Sequence, residues 1–473
     1  MSWTSPYDAL PDAMRTAWAP EGPADGHTPR LVFWNAPLAA ELGLEADAAV
    51  WSGGRVPEDA APAALAYAGH QFGSLAMLGD GRAVLLGGRR LAGREADVQL
   101  KGSGPTPYGR GGDGRAALGP MLREALFSES MHALGVPTTR TLAVATTGRE
   151  ASRPGLPPAW TGGGAVLTRV AASHLRVGTF VLAAHHGPAV LGGVLRLAAA
   201  RHDPDLLAGD ASEPELADAF LRRVIARQAA LVAGWMSLGF VHGVLNTDNV
   251  AVSGETIDYG PCAFVGRFSP EAVFSSIDRR GRYAYGNQPG ITAWNLARLA
   301  EALLPLLGDD EGAQIAAAED ALACFGPAYG AALDRAAAAK LGGVADAATL
   351  YAELLALMAE ERLDFTGTFR HLSGDAAAPA PAGGGFAAWA ARWRDRFGSP
   401  EAVAGAQARM RRVNPATVPR SAHAEAALGA ANAGDEAPFL GLLGACQKPF
   451  ERDAAWSAVP AVDLPVPPTF CGT

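Results

Sequence analysis

The sequence of 473 residues has little lysine and little cysteine. Of its 39 basic residues only Lys101, Lys340 and Lys448 are lysine, and arginine supplies the rest. Where arginine has replaced lysine almost everywhere, a retained lysine suggests a specific need for a compact point charge. The four cysteines include no CxxC pair, which argues against a zinc ribbon, and they are too few for a disulfide scaffold.

Long apolar runs and an excess of basic charge are also missing. The best apolar stretch, from Phe180 to Ala200, is interrupted by two histidines and Arg196, so we expect no transmembrane helix. The N-terminus has no basic start followed by an apolar run, so it does not predict a signal peptide, and we expect a cytoplasmic protein. The formal net charge of -9 argues against a general nucleic-acid binder, although it allows a local basic pocket for phosphates.

The composition that is present predicts a globular chain with two lobes or two domains. Hydrophobic residues make up 49% of the sequence, enough for a sizeable core. Strand patterns at 83–89, 97–101, 140–147 and 164–171 surround one helix pattern at 120–134, so the first 180 residues or so are predicted to be strand-rich. Helices are predicted at 214–238, 292–307, 312–324 and 346–361, with a short hairpin between 250 and 257.

The segment 242–260, HGVLNTDNVAVSGETIDYG, carries the strongest chemical pattern. An Asn, a short hairpin and then an Asp–aromatic–Gly triplet form the metal arrangement of protein kinases. Asn249 and Asp258 occupy those positions and offer the oxygen ligands that Mg²⁺ prefers. Either residue alone is typical of an Asx-rich turn, but the pair on one hairpin favours a metal site.

The same segment lacks the catalytic base of a protein kinase. Counting from His242, the position of the kinase aspartate holds Val244, and an aliphatic side chain cannot accept a proton. The nearest carboxylate is Asp248, immediately before Asn249. Either the protein is inactive, or its chemistry differs from that of a kinase and uses Asp248.

Residues of the first lobe complete a candidate nucleotide site. Lys101 ends a predicted strand and Glu124 lies in the middle of the following helix, as in the lysine–glutamate ion pair of kinases. The GDGR turn at 79–82 and the glycine-rich stretch 109–114 are candidate phosphate-binding loops, although Asp-Gly is also common in ordinary turns. Arg169 and Arg176 would lie two turns apart if helical and would suit a triphosphate; exposed surface arginines are the alternative.

Seven runs of sequence resemble the selenoprotein O family, also called YdiU. They are YAGHQFG (67–73), LGDGR (78–82), LKGSGPTPYGRGGDGR (100–115), SHLRVGTF (173–180), HGVLNTDN (242–249), TIDYGP (256–261) and GRYAYGNQP (281–289). The resemblance extends from about Pro29 to the C-terminus. It implies an α+β, two-lobed, protein-kinase-like fold, with a strand-rich nucleotide-binding lobe over 1–180 and a mainly helical lobe over 181–473.

The resemblance also implies an activity and its residues. The family binds ATP in a flipped orientation with Mg²⁺ or Mn²⁺ and transfers AMP to Ser, Thr or Tyr hydroxyls of proteins; UMP transfer is also attributed to it. Asp248 would accept the proton, and Asn249 and Asp258 would bind the metal. The implied nucleotide-binding set is Gly79, Gly81, Arg82, Lys101, Asp113, Gly114, Glu124 (through its pair with Lys101), Arg169, Arg176 and Asp258. We expect a monomer whose partners are ATP and protein substrates.

The sequence departs from the family pattern near its end. Cys471 matches the family's C-terminal Cys or selenocysteine, which in some members forms a disulfide with a Cys after the metal hairpin. Here Ser275 stands at that place, and Cys262 is the nearest thiol. Ser421 replaces the asparagine of the family's Asn-Pro…Arg-Asn pattern. An atypical kinase and a nucleotide-binding pseudokinase are the competing interpretations. AMP transfer would label proteins from α-labelled ATP, a kinase would label them from γ-labelled ATP, and a pseudokinase would bind ATP without transfer.

Overall fold

The computed structural model describes residues 2–151 and 163–460. It is an α+β protein with a strand-rich N-terminal region and a mostly helical C-terminal region, as the sequence predicted. Within the described residues no helix is both long and apolar enough to cross a bilayer.

One antiparallel sheet of eight strands dominates the N-terminal region. Its strands are β1 Arg15–Ala17, β2 Leu31–Trp34, β3 Ala63–Gln71, β4 Ser74–Gly79, β5 Ala83–Leu91, β6 Arg94–Lys101, β7 Arg140–Glu150 and β8 Gly163–Ala171. They are ordered β1-β3-β5-β6-β8-β7-β2, and β4 pairs with β3. A separate pair, β9 Phe240–Val241 and β10 Ala263–Phe264, lies in the C-terminal region.

Fifteen α-helices lie in the described chain, three of them before β7. The bounds are α1 Ala36–Leu42, α2 Ala48–Trp51, α3 Leu118–Ala133, α4 Val177–His185, α5 Pro188–His202, α6 Glu213–Leu238, α7 Gln288–Leu303, α8 Glu311–Ala323, α9 Phe325–Lys340, α10 Ala347–Glu360, α11 Phe365–Leu372, α12 Gly384–Asp395, α13 Pro400–Met410, α14 Ser421–Asn432 and α15 Ala437–Cys446.

Strand β6 shows how the sheet presents polar groups to the site. Successive side chains of a strand point to opposite faces. Val98 and Leu100 pack into the apolar cluster that α1 and α2 cover, so Asp97, Gln99 and Lys101 share the opposite face. All five are buried. Because buried polar groups require partners, this face of β6 must carry an internal polar network.

Helix α6 leads directly into the 242–260 segment. Ser212 and Glu215 form a capping box at its start, and Gly239 ends it with φ 70°. A Cβ on Gly239 would lie 2.7 Å from the ring of Phe365, so glycine is required there both by conformation and by space. The sharp stop turns the chain into β9 and places His242 immediately after it.

The predicted strands and helices are confirmed, with shifts of a few residues at their ends. The hairpin predicted between 250 and 257 is wrong. Ala251 bridges to Arg176 and Thr256 bridges to Thr138, so the two arms of this turn pair with other segments rather than with each other. The local pattern identified the turn, but partners far away in sequence determine the pairing.

Candidate active site

A polar cleft of about 270 Å³ lies where the sheet meets the 242–260 segment. Nine of the predicted site residues line it: Gly79, Gly81, Arg82, Lys101, Arg169, Arg176, Asp248, Asn249 and Asp258. Sequence positions from 79 to 258 are thereby brought into one pocket.

Lys101 stands at the centre of a buried charge cluster. Its Nζ lies 2.5 Å from Glu124 Oε2 and also contacts Asp258 Oδ1. Glu124 Oε1 in turn lies 3.3 Å from Arg169 Nη1. The cluster thus joins the sheet, helix α3 and the segment after the turn, and Glu124 lies behind Lys101 rather than in the cleft wall.

Asp258 is held ionised and in an unusual backbone conformation. Burial opposes its charge, but Lys101 and Arg169 outweigh burial and hold the pKa of this carboxyl well below its ordinary value. Its φ is 68°, a left-handed conformation that a non-glycine residue adopts only at a cost. Arg123 Nε donates to the carbonyl of Gly260 at 3.0 Å, which fixes the chain just beyond Asp258.

The two arginines reach the cleft from different elements. Arg169 lies on β8, where Nη2 donates to Gln99 Oε1 at 2.6 Å, and Arg176 precedes α4. The helical spacing considered for this pair is therefore wrong. Both side chains are buried, and neither Nε has a hydrogen-bond partner within the described part of the chain. Unsatisfied donors buried beside a cleft are costly in the absence of a ligand, so they suit an anion.

Arg176 is fixed by several groups of both regions. Its Nη1 donates to the carbonyl of Asp248 at 2.9 Å, its Nη2 lies 3.7 Å from Asp80 Oδ1, and its guanidinium lies 4.4 Å from the ring centroid of Tyr67. Burial disfavours the charged form, but Tyr67 and Asp80 outweigh it and raise the pKa of Arg176. The guanidinium is therefore a permanent cation in the cleft wall.

The turn at 79–82 is packed tightly against the 102–114 loop. Gly79 has φ 153°, and a Cβ there would lie 2.5 Å from Tyr108. Asp80 faces inward, where its Oδ2 accepts from Gln99 Nε2 at 2.9 Å and from the Leu65 amide at 3.1 Å. Burial raises the pKa of Asp80, although Arg176 opposes this. The side chain of Asp80 thus stabilises the turn that exposes the backbone of Gly81.

Asp113 and Gly114 do not line the cleft. Asp113 Oδ1 accepts from the Arg115 amide at 3.1 Å, and the Gly114 carbonyl accepts from the Gly104 amide at 3.1 Å. Both residues close the 102–114 loop, which instead presents Arg110 to the cavity.

Side-chain contacts to backbone carbonyls hold the 242–249 segment in place. His242 Nε2 lies 2.8 Å from the Ile257 carbonyl, and Asn249 Nδ2 donates to the Val244 carbonyl at 3.0 Å. The second contact uses the side-chain nitrogen of Asn249, so the amide oxygen takes no part in it. Val244 lines the cleft with a side chain that is only 3% exposed.

Asp248 has one engaged and one unpartnered carboxylate oxygen. Oδ2 accepts from Gln71 Nε2 at 3.2 Å, whereas the buried Oδ1 has no partner among residues 2–151 and 163–460. Burial raises the pKa of Asp248 to about 6. A buried carboxylate with a free oxygen and a pKa near neutrality has the properties of a proton acceptor.

Some cleft residues were absent from the predicted set: Tyr67, Gln71, Asp80, Arg110 and Asn246. All five lie inside the quoted runs 67–73, 78–82, 100–115 and 242–249, so the sequence contained the signal, but their roles depend on partners that are distant in sequence. Within the described ranges no group of three or more His, Cys, Asp or Glu side chains forms a metal site by itself.

The three described cysteines, Cys262, Cys324 and Cys446, are free thiols. Ser275 and Cys262 are buried, and burial raises the pKa of the Cys262 thiol to about 12, which makes it unreactive. Cys471 lies outside the described residues. Ser421 begins α14, close after the buried Asn414.

Comparison with known proteins finds a matching family and similar proteins that span the chain. A family described as "Protein adenylyltransferase SelO" matches residues 21–447. A protein named "Protein nucleotidyltransferase YdiU" from Methylorubrum populi is 49% identical, over 99% of this chain and 98% of the relative. Proteins of the same name from Rhodopseudomonas palustris and Roseobacter denitrificans are each 48% identical, over 99% and 100% of this chain and 98% and 100% of their own lengths.

Proposed function

The chain belongs to the SelO family of protein adenylyltransferases, and from this premise we propose that its cleft binds ATP with Mg²⁺ or Mn²⁺ and transfers AMP to Ser, Thr or Tyr hydroxyls of other proteins. Pyrophosphate is the second product, and UMP transfer from UTP is the parallel reaction. The observation that carries the proposal is the substitution of the kinase base by buried Val244 beside the poised carboxylate Asp248.

The two regions form a kinase-like pair of lobes in this proposal, with 1–180 as the nucleotide-binding lobe and 181–473 as the helical lobe. The contact between Lys101 of the sheet and Asp258 of the helical region supports it, since that contact crosses the cleft. Cytoplasmic location and a monomeric state belong to the same proposal.

The nucleotide enters with its terminal phosphates inward. Lys101, Arg169 and Arg176 are all buried at the inner end of the cleft and match the charge of a triphosphate. The same cations stabilise the growing charge on pyrophosphate as it leaves. The further nucleotide contacts in the proposal are the turn residues Gly79, Gly81 and Arg82, with Asp113 and Gly114 supporting the loop and Glu124 fixing Lys101.

Asn249 and Asp258 are the residues that would hold the divalent cation. Their donor atoms are hard oxygens, Asp258 is ionised, and the Nδ2 contact of Asn249 with Val244 fixes its amide, so the donor set fits. Two side chains suffice because Mg²⁺ also takes oxygens from phosphates and water. When bound, the cation neutralises phosphate oxygens.

Asp248 receives the proton of the acceptor hydroxyl. The hydroxyl oxygen forms a bond to the α-phosphorus as the bond from that phosphorus to the bridging oxygen breaks, and pyrophosphate leaves with the electron pair. The hydroxyl proton moves to the carboxylate of Asp248, which lines the cleft. Gln71 and the backbone contact to Arg176 hold Asp248 in place during the transfer.

Incubation with α-labelled or γ-labelled ATP tests the proposal. We expect label on protein from the α-phosphate alone, and a gain in intact mass equal to AMP on any self-modified chain. Asp258→Ala should abolish the labelling, while Asp12→Asn, at an exposed acid far from the cleft in sequence, should leave it unchanged.

Transfer of γ-label would establish a kinase instead. ATP binding without label on any protein, the enzyme included, would establish a pseudokinase.

A further inference from the structure

A second groove opens beside the mouth of the cleft. It has a volume of about 730 Å³ and is lined on one side by the 277–282 segment and on the other by the start of α7. Phe72 and Ile277 line both the groove and the cleft, so the two spaces are continuous. Both side chains are exposed, by 40% and 42%.

The wall of this groove is strongly basic although the whole chain is acidic. Arg279, Arg280 and Arg282 line it within four positions. Arg279 and Arg280 are exposed and have no ion-pair partner in the described part of the chain. Arg282 lies 4.8 Å from the ring centroid of Trp294, which holds its guanidinium in place.

Asp278, the acid in the same wall, forms no ion pair with these arginines within the described part of the chain. Asp278 accepts from the backbone amides of Arg282 at 2.9 Å and Tyr283 at 2.7 Å, so its carboxylate caps the turn. The turn therefore presents its guanidinium groups outward while its own acid faces the backbone.

Asn246 connects this wall to the catalytic segment. Its Oδ1 accepts from the Tyr283 hydroxyl and from the Phe72 amide, the latter at 3.2 Å. Asn246 is two residues before Asp248, and Phe72 and Tyr283 also pack together at 5.2 Å. A chain bound in the groove is thus held by the same framework that positions the proton acceptor.

We propose that this groove docks an acidic segment of the protein substrate, next to the hydroxyl that receives AMP. The inference rests on the proposed AMP transfer and adds the substrate class. Asp and Glu side chains would pair with Arg279 and Arg280, and Phe72 and Ile277 would contact the apolar parts of the segment. Unpaired arginines on an acidic protein select such a partner and steer its approach.

Two threonine peptides of equal length test the docking, one with Asp and Glu around the threonine and one with Asn and Gln. The full chain, the variant Arg279→Ala/Arg280→Ala and a control are compared by kcat/KM for transfer of α-label and by ATP affinity. The control Arg90→Ala/Arg94→Ala removes two exposed arginines at the turn between β5 and β6, about 20 Å along these strands from the cleft.

We expect the wild type and the control to prefer the acidic peptide by about tenfold, a preference that weakens with salt. The groove variant should lose the preference and keep its ATP affinity. Arg279→Glu/Arg280→Glu should instead favour a third peptide with lysines around the threonine.

Equal use of both peptides by the wild type, or labelling of the enzyme but of neither peptide, would overturn the docking while AMP transfer stands. Loss of ATP affinity in the groove variant would assign the arginines to the nucleotide and also overturn it. Absence of α-label on every protein would overturn AMP transfer itself, and the docking with it.

Discussion

The buried carboxylate of Asp97 gives a stability prediction with a definite size. Its Oδ2 accepts from the Tyr7 hydroxyl at 2.6 Å and from the His174 amide at 2.8 Å, and its Oδ1 accepts from Arg201 at 2.8 Å. The side chain is fully buried. This one residue therefore joins the N-terminal segment, β6, the turn before α4 and helix α5.

The pKa of Asp97 converts these contacts into free energy. Burial opposes the charge, but Arg201 and the hydrogen bond from His174 outweigh it and lower the pKa to about 2. The shift from an ordinary value of about 3.9 corresponds to about 2 to 3 kcal/mol of folding free energy at neutral pH. Asp97→Asn removes this term and leaves the buried Arg201 with only the more distant carboxylate of Glu95, at 3.6 Å, so we expect a loss of about that size.

Because the folded pKa is lower than the unfolded one, the stabilisation is complete above about pH 4 and is lost as the pH falls toward 2. Urea unfolding followed by tryptophan fluorescence measures the difference between wild type and variant. We expect a constant difference from pH 8 to pH 5 that shrinks below about pH 4, with an unchanged dependence on urea concentration.

Asp12→Asn is the matched control, since Asp12 is exposed and should change the free energy of unfolding by less than about 0.5 kcal/mol. A similarly small loss for Asp97→Asn at pH 7 would refute the reasoning. A difference that stays constant at pH 3 would show that the charge of Asp97 is not its source.

Three further changes test the cleft. Glu124→Gln should lower the free energy of unfolding by about 3 kcal/mol in urea, because Lys101 loses a buried partner; an unchanged midpoint would contradict this. Gly79→Ala should weaken ATP binding at least tenfold in calorimetry, with an unchanged circular dichroism spectrum, because the new methyl group would overlap Tyr108; unaltered affinity would argue against a role of this turn. Val244→Asp should not produce γ-phosphate transfer in the labelling assay, and γ-labelled protein would show that the missing base alone separates this enzyme from a kinase.

The periodic parts of the fold were predictable from the sequence, and so was the strand–helix pair that carries Lys101 and Glu124. Alternation on β6 and helical spacing on α3 are local properties, and they place both side chains on inward faces. The sequence also gives the order in which these groups occur: a lysine on a strand, a glutamate on a helix, and then an asparagine and an aspartate at a turn. As that order suggested, Lys101 contacts Glu124 and Asp258 in the structure.

Pairings between distant segments were not predictable from local patterns. The 250–257 turn looked like a hairpin because Val250–Val252 and Thr256–Ile257 flank a glycine, yet each arm bridges to a different segment. Arg169 and Arg176 were compared with a helix because seven positions separate them, but a strand end and a turn lie between. Asp80 was read as a turn residue, and its burial against Gln99 and Arg176 depends on strands that are adjacent only after folding.

The charges of the cleft argue for the direction in which a nucleotide lies. Five cations line it, Arg82, Lys101, Arg110, Arg169 and Arg176, against the three acids Asp80, Asp248 and Asp258, whereas the whole chain has a formal charge of -9. A cation-lined cleft in an acidic protein concentrates a polyanion at that place. Lys101, Arg169 and Arg176 are the deeply buried members, each no more than 5% exposed. In the proposed reaction the most highly charged end of ATP, its terminal phosphates, would therefore lie inward, and the α-phosphorus would lie nearer to Asp248 and to an incoming hydroxyl. A nucleotide bound with its terminal phosphate at the mouth would leave those cations without a phosphate to bind and would place Val244 where a kinase has its base.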